Sequence, residues 1–260
     1  MTSFSIPLTQ VQTLFLIFVR VGGLIMTAPL LDSRGVPIAF KLGLAFSLSI
    51  ILLPLVAVRP EVFEGSALAF MVGLVGEVFI GIIIGVAIRL LFSAVQLAGQ
   101  LAGFQMGFSI ANVLDSVSNA QISVISQLQN IVAVLLFFSC NAHYWLFSGV
   151  VDSFVLVPPF SFQMSYPLVD QLVRLTGTMF IIAVKVGAPV IVALLLTTVS
   201  LGLVARVVPQ INIFIVAFPI KIAVGLVFIG VTLPSLAAYL GELYAHLGTT
   251  IHELLRASSL

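Results

Sequence analysis

ALAFMVGLVGEVFIGIIIGVAIRLLFSAVQLA, residues 67 to 98, contains two charged side chains, Glu77 and Arg89, and one amide, Gln96, in an otherwise apolar or small-residue run. A helix that spans a bilayer needs about 20 such residues, so this run is longer than one comfortable span. Five further apolar stretches follow the same pattern, at approximately 11 to 31, 38 to 58, 128 to 157, 175 to 208 and 211 to 240. Turn-forming sequences separate them: DSRGVP at 32 to 37, RPEVFEG at 59 to 65, SFQMSYPLVDQ at 161 to 171, and the turn at Pro209. Every connection is short, which leaves no room for an inserted soluble domain.

Composition agrees. Hydrophobic residues make up 61% of the 260 and charged residues only 7%, against about 25% charged in soluble domains. Ten Lys/Arg and nine Asp/Glu cannot solvate the outside of a water-soluble fold of this size. The chain is predicted to be all-α and polytopic, built of membrane-type helical hairpins with bent or broken helices. Two runs carry internal interruptions, Glu77 and Arg89 in the first and Lys185, Gly187 and Pro189 in the second, and are predicted to bend there. The more polar tail from Gly241 to Arg256 reads as a short interfacial helix.

Several function classes fall away. A net charge of +1 and the lack of a basic run argue against a nucleic-acid partner. The lone Cys140 excludes an internal disulfide and a cysteine-based zinc site. MTSFSIPLTQ has no positive residue ahead of the first apolar run, which argues against a cleavable signal peptide. Arg34, Lys41, Arg206 and Lys221 on one side nearly balance Arg59, Arg174 and Arg256 on the other, so the positive-inside rule leaves orientation open.

Catalytic signatures fail residue by residue. HELLR, 252 to 256, starts like a zinc-protease helix, but Arg256 stands where the second His is needed. Gly107, Phe108 and Ser109 start like a nucleophile turn, yet the closing Gly is missing after Ile110. No GxxxxGK loop is present, and His143, His246 and His252 are scattered. The expectation is a non-enzyme with no cofactor and no metal. A secondary transporter is the competing class, but the two related halves typical of such proteins are not seen.

Arg20, Glu77, Arg89 and Lys185 fall inside apolar runs, where each unpaired charge costs at least about 2.5 to 3.5 kcal/mol. Glu77 and Arg89 lie about 18 Å apart in rise and about 120° in rotation on one helix, so they cannot pair with each other there. Pairing between helices or with other subunits is expected. A proton relay is the weaker alternative, since Glu77 is the one carboxylate placed for it. Gly81 and Gly85, then Gly99, Gly103 and Gly107, repeat every fourth position and form ridges on which another backbone can approach closely. Gln96 and Gln100 beside the second ridge are candidates for interhelical hydrogen bonds.

GFQMGFSIANVLDSVSNAQ, residues 103 to 121, concentrates Gly, Ser, Asn, Gln and Met between two of the most apolar runs. Irregular backbone at membrane depth survives only where protein or a water-filled cavity satisfies its polar groups. Met106 and Phe108 offer adaptable bulk, Gly103 and Gly107 offer bendability, and Ser109, Asn112, Ser116, Ser118 and Asn119 can hydrogen-bond one another or water. These are properties of a movable stopper in a protein-lined conduit. The alternative is an ordinary solvent-facing connection, which the near absence of Lys/Arg from 90 to 173 weakens.

ARVVPQINIFIVAFPIKIAVGL, from Ala205 to Leu226, resembles the C-terminal signature of the FliR family of flagellar type III export-gate subunits, with Arg206, Pro209, Gln210, Asn212, Phe214, Pro219 and Lys221 at the family's spacing. FQMGFS (Phe104 to Ser109) followed by Asp115, and NAHYWL (Asn141 to Leu146), resemble the family's other blocks. Ser116 stands where many relatives have Pro, and Ala142 and Ala217 replace common glycines. The injectisome (SctT-type) subunit shares much of the pattern, and the PQIN and FPIK wording leans to the flagellar branch.

The resemblance implies a FliP-like part at about 1 to 165, including a plug loop at 104 to 121, and a FliQ-like helical hairpin with tail at 166 to 260. It implies a ring with FliP and FliQ in the bacterial inner membrane at the flagellar basal body, FlhB bound outside, and passage of unfolded flagellar proteins through the ring. Phe104, Met106, Gly107, Phe108, Ser109, Asn112, Asp115 and Ser116 are then plug residues. The seven positions of the C-terminal signature are candidates for partner contact.

Overall fold

The computed structural model describes residues 8–29, 36–56, 67–108, 123–210 and 212–259, and all of its regular elements are helices. In chain order the α-helices are α1 (Leu8–Thr27), α2 (Ile38–Leu52), α3 (Ala67–Met106), α4 (Val124–Ser139), α5 (Ala142–Leu156), α6 (Tyr166–Val207), α7 (Ile213–Ala245) and α8 (Leu247–Ala257), with a short 3-10 turn at Leu53–Leu55 after α2. Among the described residues, five segments are long and apolar enough to cross a membrane, and α4 with α5 makes a sixth if the pair counts as one broken span. These correspond to the six apolar runs of the sequence.

The charged and Pro/Gly positions inside the two long runs leave their helices continuous, and one apolar run is broken elsewhere. Neither Glu77 and Arg89 nor Lys185, Gly187 and Pro189 end a helix: α3 runs 40 residues and α6 runs 42 with Pro189 inside it. Proline removes one ladder donor and bends the axis, which a packed helix tolerates, and the Glu77 charge is neutralised as described below. The break lies instead at Cys140–Asn141, where Asn141 adopts a left-handed φ of 53°. Asn tolerates that conformation better than most side chains.

The chain divides into two compact units. The first comprises Met1–Leu90, Asn141–Thr176 and Tyr244–Leu260; the second comprises Leu91–Cys140 and Gly177–Leu243. In the first, α1 presents Leu16, Ile17, Val21 and Leu24 as one buried stripe, the helical spacing of an apolar face. It crosses α3 at the first glycine ridge. A Cβ on Gly81 would run into the Arg20 carbonyl and lie 2.9 Å from the Leu24 nitrogen, and one on Gly23 would lie 2.7 Å from the Val78 carbonyl. Phe18 and Phe46 meet edge to face between α1 and α2, with centroids 6.1 Å apart.

The tail departs from the interfacial reading. Helix α8 buries Leu247, Ile251, Leu254 and Leu255 and packs on α5, with Gly149 against Ile251 and Gly248 against the Trp145 ring. Its amphipathic stripe is satisfied within the chain, so the pattern that suggests a membrane surface serves a helix pair instead.

In the second unit, the second glycine ridge of α3 receives α4. A Cβ on Gly99 would lie 2.6 Å from Ser126 Cα, and one on Gly103 would strike the Ser123 hydroxyl. Gln96 donates from Nε2 to Asn130 Oδ1 at 3.0 Å, and the Ser126 hydroxyl donates to the Gln96 carbonyl at 2.9 Å; Gln100 is exposed. Hydroxyls within the apolar helices bond their own backbone. Thr197 donates to the Ala193 carbonyl at 2.8 Å, Thr198 to that of Leu194 at 2.7 Å and Thr232 to that of Phe228 at 2.8 Å, which removes the cost of a bare polar group in a low-dielectric setting.

Candidate functional site

The polar segment is anchored at both described ends. Contacts pair α3 residues 96, 99 and 103 with residues 130 and 126 of α4 and with Ser123 just before it, in reverse order, so Gly103 and Ser123, which flank most of the segment, are neighbours. Helix α3 ends as Gly107 takes φ +94° and donates its N–H to the Phe104 carbonyl at 3.1 Å. This left-handed cap is costly for any residue with a Cβ. At Gly107 a Cβ would also lie 2.6 Å from the Phe218 ring on α7.

Met106 is fully buried and lies over Gly225, where a Cβ would overlap the Met106 methyl group. It belongs to a cluster with Ala102, Ile125, Val190, Leu194 and Ile229, against which Phe108 and Val224 also pack. Phe104 faces outward, 70% exposed. The root is therefore fastened by Met106 and Gly107 while Phe104 projects. Ser109, Asn112, Asp115 and Ser116 lie outside the described residues.

Arg20 and Glu77 meet in the first unit. Both side chains are fully buried, with Arg20 Nη2 2.6 Å from Glu77 Oε2. Arg20 Nε donates to the same oxygen at 2.7 Å, Nη1 to the Ser153 hydroxyl at 2.8 Å and Nη2 to the Val157 carbonyl at 3.3 Å. The Phe154 ring lies 3.8 Å below the guanidinium. Glu77 Oε1 accepts from the Phe160 N–H at 3.1 Å, Phe160 itself having φ 66°. Both carboxylate oxygens are occupied, and the network ties α1, α3, α5 and the segment after α5 together. A satisfied buried network of this kind rigidifies its surroundings. Arg89 and Lys185 are exposed and belong to other surroundings.

The C-terminal signature brackets the turn between α6 and α7. Arg206, Pro209, Gln210, Asn212 and Pro219 are exposed and Lys221 is half-buried, while the side chain of Phe214 lies outside the described residues. Of the histidines, His252 sits 3.2 Å from Asp152 through Nε2, and its Nδ1 meets the Gly248 carbonyl at 2.8 Å, a link between α5 and α8. Among the described residues no group of three or more His, Cys, Asp or Glu is placed to hold a metal.

Sequence reasoning missed Ser153, Phe154 and the Phe160 N–H around Arg20, and Phe218 and Gly225 around Met106. A serine beside an aromatic in an apolar helix is a weak signal for the first group. Phe218 and Gly225 fall inside the signature block, but nothing in that block announces a methionine on the other side.

The family described as Bacterial export proteins, family 1, matches residues 11–247. The chain is 34% identical over 249 residues to the flagellar biosynthetic protein FliR of Bacillus subtilis (strain 168), covering 92% of this chain and 93% of that protein. It is 30% identical to FliR of Pectobacterium carotovorum subsp. carotovorum, over 94% of this chain and 93% of that one. It is 31% identical to FliR of Escherichia coli (strain K12), over 91% and 90%. A match along nearly the whole length, together with an all-α architecture of membrane-length helices, makes this chain a member of the bacterial export protein family 1.

Proposed function

We propose that the protein is the FliR subunit of a flagellar type III export gate, which sits in the bacterial inner membrane and forms a protein-export channel with FliP and FliQ. Residues 1 to 165 act as the FliP-like part and 166 to 260 as the FliQ-like hairpin and tail. FlhB binds outside the ring, and unfolded flagellar proteins are the cargo. The segment from Phe104 to Gln121 is the plug that closes the channel at rest. The observation that carries this reading is a polar, nearly uncharged segment rooted by the buried Met106 and the left-handed Gly107, in a chain whose relatives are named as flagellar biosynthetic proteins.

Co-expression with FliP and FliQ of the same organism tests it, with recovery of a three-component complex in mild detergent as the expected result. Failure of the chain to associate with either contradicts the reading. Exposed Arg206 and half-buried Lys221 flank the turn, where two cations can reach carboxylates on a neighbour. Replacing both by alanine is expected to lower the recovered partners severalfold, measured by quantitative mass spectrometry of the purified complex. Undiminished recovery removes the contact role from these two residues.

A further inference from the structure

A cavity of about 560 Å³ opens within the second unit between α4, α6 and α7, lined among others by Leu128, Lys185, Pro189, Gly230, Leu233 and Tyr239. Three of its features are polar in an unusual way. Lys185 is exposed on this wall, and among the described residues no carboxylate lies within ion-pair distance of it. Pro189 has no N–H to give to the carbonyl four residues earlier, which is that of Lys185; Pro234 likewise gives none to Gly230. Both deprived carbonyls belong to residues that line the cavity. The rest of the wall is mostly leucine, valine and isoleucine.

An apolar occupant would bury an ammonium without a counter-ion and leave backbone acceptors without donors, both costly. A lipid acyl chain is such an occupant. A helix can bring a carboxylate on one side chain and N–H or O–H donors on its neighbours to one wall. The second unit has only two acidic residues of its own, Asp115 and Glu242. Glu242 forms no ion pair with Lys185, and Asp115 lies outside the described residues.

We infer that this groove seats an apolar helix of another export-gate subunit, and that this helix presents an Asp or Glu to Lys185 and hydrogen-bond donors to the Lys185 and Gly230 carbonyls. The inference rests on the export-gate reading and names the chemistry of one of its contacts. Removing one member of a desolvated charge pair strands the other, so Lys185→Glu in the co-expressed complex is expected to cut recovery of the partner supplying the helix by about tenfold or more. Lys185→Arg is expected to retain the partner. A photo-crosslinking residue at Leu233, with Lys185 intact, is expected to join the chain to that partner close to an acidic residue, and Lys at that acidic position is expected to rescue Lys185→Glu.

Crosslinks to phospholipid alone overturn the inference, as does parental partner recovery by Lys185→Glu. Asp115→Asn reproducing the defect of Lys185→Glu also overturns it, because the counter-ion then belongs to this chain. If the parental chain recovers no partner, the export-gate reading fails along with the inference. If the parental complex forms and Lys185→Glu forms it equally well, only the inference fails.

Discussion

Arg20→Met is expected to destabilise the first unit by about 3 to 5 kcal/mol, the usual consequence of stranding one member of a fully buried ion pair. Glu77 would keep a single backbone partner, the Phe160 N–H, in place of the guanidinium that now meets its other oxygen. The Ser153 hydroxyl and Val157 carbonyl would lose their donor as well. The double variant Arg20→Met/Glu77→Gln removes both charges and is expected to recover much of the loss, since replacing a buried pair by neutral groups is often close to neutral. Unfolding in detergent, followed by circular dichroism with a thermal or SDS titration, measures both. A single variant within about 1 kcal/mol of the parent would mean that water reaches the pair and that it does not fasten these helices.

Gly107→Val is expected to loosen the root of the polar segment. A β-branched residue resists a φ of +94°, at a cost of about 1 to 2 kcal/mol for a left-handed conformation, and its Cβ meets the Phe218 ring. Relief requires that α3 end differently or that Phe218 withdraw, and either displaces the anchor held by Met106. Planar-bilayer recordings of the purified assembly are expected to show ion conductance in Gly107→Val, and more in a chain shortened between 106 and 119, where the parent is closed. Parental tightness after the deletion rules out the plug role.

The helices were legible because apolar length is written locally. The six runs need only composition and the bilayer's thickness, and the glycine ridges at Gly81 and Gly99 announce close approach without naming what approaches. The break at Asn141 was not legible, because a single residue's left-handed φ is selected by its surroundings. The tail was misread for a related reason: an amphipathic stripe fits equally a bilayer surface and the partner helix α5. Charges at Arg20 and Glu77 pointed to pairing, but their pairing with each other across 57 positions is a tertiary fact. The root of the candidate plug was half legible, since Met106 and Gly107 stood out by type whereas Phe218 and Gly225 acquire meaning only through contact.

A plug between α3 and α4 requires that neighbouring protein enclose the strip at rest. With the exposed Cys140 replaced by Ser, single cysteines placed from 109 to 119 in the quiescent assembled complex can be challenged with a bulky, membrane-impermeant maleimide in detergent-free membranes opened on both sides. Protection along this whole segment, lifted when the complex is dissociated, is the predicted result. Rapid labelling of these positions in the intact complex would contradict it.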